Sequence, residues 1–327
     1  MKIGSLSAAW SAQPLEEVLD FFAGAGLQAI EIGSGAYPGN AHCDPVKLNA
    51  DPKALKAFVK AIESRGLVLS ALSVHGNPLH PSQKIQREHR KAFRETVKLA
   101  GSIGCKCVNG FSGLPGGCAE DKVPNWVVAP WPEDHLNALT YQWDLAAKYW
   151  ANEAKLLEKN DVCFCIEMHP NFLVYNPETL VKLREAAGSD RICANFDPSH
   201  LFWQGINPSD AIRWLGEKGK GARSYLQHVH AKDSLVYGWN ARVNGVLDTK
   251  PYGDEINRGW IFRTVGYGHD AGVWKDMVST LRMVGYDGVL SIEHEDSLMS
   301  SNEGFLKAIA FLKEALIFEA PTAMTWA

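Results

Sequence analysis

A single α/β domain folded as a (β/α)8 barrel, with long βα loops over one face, is what this sequence predicts. Three observations carry that expectation. Eight short apolar runs alternate with eight amphipathic helical segments along the whole chain, the pattern of a parallel sheet covered by helices. No stretch divides the alternation into two halves, so residues 1–327 read as one domain, and closure of the sheet is the economical solution. Four of the runs also end on metal-binding side chains, in CFCIEMHP, ANFDPSH, LQHVHAKD and LSIEHED. An open doubly wound sheet is the competing architecture, but the first βα turn, SLSAAWSAQ, lacks GxGxxG. No nucleotide cofactor is therefore expected.

The first half of the chain gives strands at Lys2–Ser7, Ala29–Gly33, Leu67–His75 and Cys105–Phe111. Helices are expected between and after them at Pro14–Ala25, Pro52–Ser64, Ile85–Ser102 and Ala138–Asn160. The second half gives strands at Val162–His169, Ile192–Asp197, Ser224–Lys232 and Gly288–Glu293. Their helices are expected at Pro177–Ala187, Ser209–Lys218, Val273–Val284 and Ser300–Phe318. Asn176-Pro177-Glu178 and Asn207-Pro208-Ser209 mark two helix starts, and Gly188, Gly219 and Gly285 mark ends. Three connections, Ser34–Ala50, Leu114–Asn137 and Asp233–Gly272, are too long for plain turns. They carry Tyr37, Trp126, Trp131, Tyr237, Trp239, Tyr252 and Trp260, which argues against disorder. Since βα loops of a barrel gather at the strand C-termini, these aromatics either roof that face, where they suit sugar C–H faces, or anchor loops and subunit contacts.

Bulk composition narrows the function. Hydrophobic content of 46%, charged content of 21% and a net charge of −4 describe a globular protein with no case for nucleic acid as a partner. No apolar run reaches the ~20 residues that span a bilayer, and MKIGSLSAAW has no signal-peptide core, so a cytoplasmic protein with no membrane partner is expected. The seven cysteines include no CxxC pair. Cys105/Cys107 and Cys163/Cys165 read as small core residues in a reducing compartment.

Strand alternation sorts the acidic and imidazole side chains. Glu167, Asp197, His230 and Glu293, one from each of the last four strands, form the expected ligand set for one divalent metal. Three carboxylates and an imidazole suit Mn²⁺ first, with Mg²⁺, Co²⁺ or Zn²⁺ as alternatives. His169, one alternation beyond Glu167, should face substrate as a base or acid. His200, His75, Lys232 and Trp131 are the expected substrate contacts. His200 could equally support a ligand, Lys232 could pair with Asp233 at the rim, and Glu31 could orient His75. His228 reads as a satisfied core residue, Glu295 as support and His294 as facing helices. GYGHD, with His269, reads as turn chemistry rather than a phosphate cradle.

The order EMHP, FDPSH, HVHAKD, GYGHD and SIEHED resembles the xylose isomerase-like TIM-barrel superfamily of sugar (phosphate) isomerases and epimerases. That resemblance implies that Glu167 and Glu293 bind the metal and exchange a proton with the sugar, so Glu167, His169 and Glu293 are the expected catalytic residues. It also implies Asp197 and His230 as the remaining ligands and His200 as a substrate contact. His169 and the large aromatic inserts resemble the branch acting on 3-oxo-glycosides, including C-glycoside deglycosidase large subunits. There the same proton removal would end in β-elimination. A sugar or glycoside is thus the expected small-molecule partner, in a homo-oligomer or beside a small second subunit. Endonuclease IV-like phosphodiester hydrolysis would need more histidines than Asn109 and its neighbours supply, and a non-catalytic sugar- or partner-binding barrel would not need an intact ligand set.

Overall fold

The computed structural model describes residues 1–322. Eight parallel strands run β1 (Lys2–Ser5), β2 (Ala29–Gly33), β3 (Val68–Ser73), β4 (Cys107–Gly110), β5 (Cys163–Glu167), β6 (Ile192–Phe196), β7 (Leu226–Ala231) and β10 (Val289–Ile292). A separate antiparallel pair, β8 (Asp233–Val236) and β9 (Trp260–Arg263), lies in the connection between β7 and β10. The parallel strands follow one another around the sheet, and β10 pairs with β1 in the register Lys2 to Val289. The remaining seam, between β1 and β2, is joined by a bridge from Leu6 to Glu31 and a hydrogen bond from the Gln28 amide to the Ile3 carbonyl. The nearly closed (β/α)8 barrel agrees with the expected fold.

The helices are α1 (Leu15–Gly24), α2 (Pro45–Ala50), α3 (Pro52–Glu63), α4 (Gln83–Ile103), α5 (Glu133–Asn160), α6 (Pro177–Ala187), α7 (Pro198–Trp203), α8 (Pro208–Lys218), α9 (Gly238–Asn244), α10 (Ala271–Met283) and α11 (Ser301–Ala315). Eight match the expected segments, and α2, α7 and α9 are additional. Two of these carry a start signal: Asp44 and Asp197 each cap a helix whose next residue is proline. Such a proline fits the first turn because its missing N–H would have no helical partner there. Pro198 therefore starts a helix rather than the simple turn expected of it. Helix α5 begins five residues before the expected Ala138, which shortens the loop after β4.

The outer layer packs apolar helix faces against the barrel, with Phe22, Trp150, Phe164, Trp274 and Phe305 among its buried aromatics. Cys107, Cys163, Cys165 and Cys193 cluster with Ala71. Six of the seven cysteines are buried and all are free thiols, in line with the core reading. Among the described residues, no helix is long and apolar enough to cross a membrane.

Candidate metal centre and substrate chamber

The four expected ligands converge. Glu167 is the last residue of β5, Asp197 caps α7 directly after β6, His230 lies in β7, and Glu293 follows β10. One ligand atom from each lies within 4.8 Å of every other. His230 Nδ1 is 3.1 Å from Glu293 Oε2, 3.3 Å from Glu167 Oε2 and 4.0 Å from Asp197 Oδ2.

Two features of this cluster fit a cation. His230 Nδ1 is buried without a hydrogen-bond partner, which costs free energy unless another group satisfies it, and Asp197 Oδ2 has the ion pair with Lys232 as its closest polar contact. The opposite atom of each residue is engaged: His230 Nε2 lies 3.1 Å from both Glu31 oxygens, and Asp197 Oδ1 accepts from the Ser199 amide at 2.8 Å. His230 Nδ1 and Asp197 Oδ2, 4.0 Å apart, are thus held toward a common point. Charge gives the second argument. Glu167, Asp197 and Glu293 offer three negative charges against the Lys232 ammonium, which approaches Glu293 at 2.6 Å and Asp197 at 3.1 Å. The three carboxylates thus outnumber the one ammonium, as a cation site requires.

The supporting residues explain how the ligands are aimed. Glu167 accepts from His75 Nε2 at one oxygen and from His200 Nε2 at the other, both at 2.9 Å. His75 and His200 thus hold a carboxylate of the candidate cluster. Glu31 is fully buried and takes donors from Ser73, Asn109, Ser291 and His230. It orients His230 rather than His75, correcting the expected pairing. His228 is satisfied as a core residue should be, with Nδ1 donating to Asn195 Oδ1 at 2.9 Å and Nε2 lying 3.4 Å from Ser70 Oγ.

Lys232 also sits differently from its expected rim position. It is 2% exposed, buried among Asp197, Glu293 and Glu295 beneath the Phe262 ring. Burial opposes its charge, but the surrounding carboxylates hold its pKa well above the ordinary lysine range. Asp233 does not pair with it. That carboxylate instead accepts from the amides of Gly266, Gly268 and His269, from the His269 ring and from Trp274. A Cβ on Gly268 would run into Asp233 and the Ser234 carbonyl. The glycine-rich GYGHD turn is therefore folded around the protein's own carboxylate, leaving no room for a phosphate.

Next to Glu167, on the far side of His169 and His200, lies a chamber of about 480 Å³ that also includes Trp126, Trp203, Tyr252 and Trp260 in its walls. Its outer wall comes from the insert after β7, whose β8–β9 pair the sequence did not reveal. Trp203 and Trp260 stack at 4.5 Å, and His169 lies 4.0 Å from His200 between ring centres. Burial and the neighbouring His200 push the His169 pKa down to about 3, so the imidazole is neutral. Trp131 is not brought to the chamber: it is 82% exposed and lines none of the described cavities. A larger cavity of about 580 Å³ lies against α5, α6 and α8, away from the ligands. The chamber is the cavity that touches His169 and His200.

Burial also lowers the His228 pKa to about 4, despite the nearby Glu31 carboxylate. Its folded pKa is below the unfolded value of about 6.5, so the unfolded chain binds the extra proton between them. Stability should fall as pH drops from about 6.5 to 4, with roughly 3 kcal/mol attributable to this residue. Thermal melts of metal-free protein should show the slope, and His228→Gln should make it shallower. An identical slope in that variant would remove His228 as a source.

Residues 19–315 match the family model described as xylose isomerase-like TIM barrel. The chain belongs to that family. It is 38% identical over 323 residues to the uncharacterized protein YfiH of Bacillus subtilis (strain 168), covering 97% of this chain and 99% of that one. Among solved structures it resembles the probable 3-DHS dehydratase AsbF from Bacillus anthracis, with a TM-score of 0.66, 14% identity, and coverage of 96% and 99%. IOLI protein with a binding zinc atom gives 0.63 at 15% identity, covering 96% of each chain. An L-ribulose 3-epimerase gives 0.59 at 20% identity, covering 96% of this chain and 91% of that one. At these identities the structural likeness speaks for the fold.

Proposed function

We propose that this chain is a divalent-metal-dependent sugar enzyme that removes a proton from the carbon beside a sugar carbonyl. The observation that carries the reading is the convergence of Glu167, Asp197, His230 and Glu293 beside an aromatic chamber. Their oxygen-rich donor set favours Mn²⁺, with Mg²⁺, Co²⁺ and Zn²⁺ as alternatives. The ion would supply Lewis acidity toward the substrate carbonyl.

The chain's own groups divide into proton acceptors and a donor. The Glu293 side chain is 16% exposed, whereas those of Glu167 and Asp197 are 2% and 0% exposed. Although burial opposes its ionisation, Lys232 and His230 hold the Glu293 pKa down to about 2. Glu293 and the neutral His169 are thus unprotonated at neutral pH, the state a base needs. Lys232 stays protonated and can donate to negative charge developing on a substrate oxygen. Glu167, gripped by two imidazoles, acts as a ligand whose orientation is fixed.

The fate of the proton distinguishes isomerisation or epimerisation from elimination. A chamber of about 480 Å³ exceeds the needs of a small free ketose, and its aromatic walls can hold a substituent beside the ring. That favours β-elimination from a 3-oxo-glucoside, as in a C-glycoside deglycosidase. The fold likeness to a probable dehydratase is compatible with elimination.

Purified protein should contain about one divalent ion per chain, and chelation should abolish turnover. Incubation with a 3-oxo-glucoside in deuterated water should release its aglycone. Deuterium entering only free ketoses would decide for epimerisation. Full activity without metal would overturn the metal-dependent reading.

A further inference from the structure

Arg258 is the least exposed charged group in the chamber wall, with only 2% of its surface exposed. Its Nε donates to the Trp260 carbonyl at 3.1 Å and its Nη1 to the Lys250 carbonyl. The guanidinium also lies over the rings of Tyr252 and Trp260, at 4.6 and 4.9 Å from their centroids. No carboxylate is within ion-pair distance of it among the described residues, and its Nη2 makes no protein hydrogen bond there. The nearby Asp248 is already committed: it pairs with Lys250 at 2.8 Å and accepts from the Gly259 amide at 2.7 Å.

A guanidinium cannot shed its proton to escape burial. Carbonyl dipoles and ring faces offset part of its desolvation, but they leave a full positive charge at the chamber wall. With Lys250 and Asp248 cancelling, the outer chamber carries a net charge of +1. At the other end the wall is made by His169 and His200, both of which group with Glu167 of the carboxylate cluster. One end of the chamber therefore carries the guanidinium and the other adjoins carboxylates, and Trp203 and Trp260 contribute apolar wall.

We propose that the substrate is an anionic sugar derivative, whose carboxylate or phosphate is bound by Arg258 while its reacting carbon faces the Glu167–Glu293 end. This rests on the proposed function only in taking the chamber as the substrate's. Nη2, with the second hydrogen of Nη1, is left to donate to either oxyanion.

The test is equilibrium binding of D-glucose, D-glucuronate and D-glucose 6-phosphate, followed by calorimetry on metal-loaded and on chelated protein. At least one anion should bind about tenfold or more tightly than glucose in both preparations. Which anion does so identifies the carboxylate or the phosphate as the recognised group. Arg258→Met should erase the preference, and Arg258→Lys should retain part of it because the charge remains. Should Arg258→Met fail to fold, the wild-type comparison and Arg258→Lys still decide. No preference over glucose, or one unchanged in Arg258→Met, overturns the proposal. So does a preference that vanishes on chelation, which would place the anion on the metal. Because the readout is binding, a chain that binds the anions but lacks metal-dependent turnover would defeat the functional reading alone.

Discussion

Glu167→Gln should lower turnover by roughly 10²–10⁴-fold and reduce the metal content of the purified protein, while leaving the barrel folded. Glutamine preserves the shape of the side chain but removes one of three ligand charges. The cluster then offers a divalent ion one negative charge fewer. The amide also matches its surroundings poorly. His75 and His200 each point a ring nitrogen at one Glu167 oxygen, at 2.9 Å, and an amide can accept at only one of those positions. Leaving one buried donor unmatched costs about 1–3 kcal/mol, which a well-packed barrel can absorb. Metal analysis, turnover and a thermal melt on the same preparation separate these effects. A variant with wild-type metal content and turnover would remove Glu167 from the centre.

The candidate cluster was legible where strand alternation alone set direction. Glu167, Asp197, His230 and Glu293 lie at corresponding strand ends, and a parallel barrel brings such ends together. His228 was separable from His230 because one alternation places it deeper in the barrel. Lys232 was misplaced because chain position said nothing about β8 and β9, whose pairing joins segments separated by more than twenty residues and brings Phe262 over its ammonium. The same missing hairpin hid Arg258. Trp131 shows the limit of composition: an aromatic in a long loop suggests a roof, yet this one lies 82% exposed outside the chamber. Glu31 did leave a signal. It is the only charged residue in the strand AIEIG, all five of whose residues are buried, and a carboxylate in such a strand requires partners.

Those partners make Glu31→Gln the second large effect expected. The carboxylate receives donors from Ser73, Asn109, Ser291 and His230, so an amide would turn at least one donor toward another. Removing one member of a buried charged pair costs on the order of 3–5 kcal/mol. The loss should be graded by pH. Burial opposes the charge on Glu31, but the His230 and His228 rings and the hydrogen bonds from His230 and Ser291 outweigh it, holding the carboxyl far below its ordinary range. A depressed folded pKa gives stability that is fully present above the unfolded value of about 4.3 and is lost as pH falls toward the folded value. The gap in melting temperature between wild type and Glu31→Gln should therefore be full at neutral pH and narrow below about pH 4. Metal affinity should fall as well, by roughly 10–100-fold, because His230 loses the acceptor that keeps Nδ1 directed at the ligand cluster. A purely structural carboxylate would lower the melting temperature without weakening metal binding in the folded variant. Measuring affinity at a temperature where both proteins are folded separates the two roles, and unchanged affinity would reduce Glu31 to a strut of the barrel.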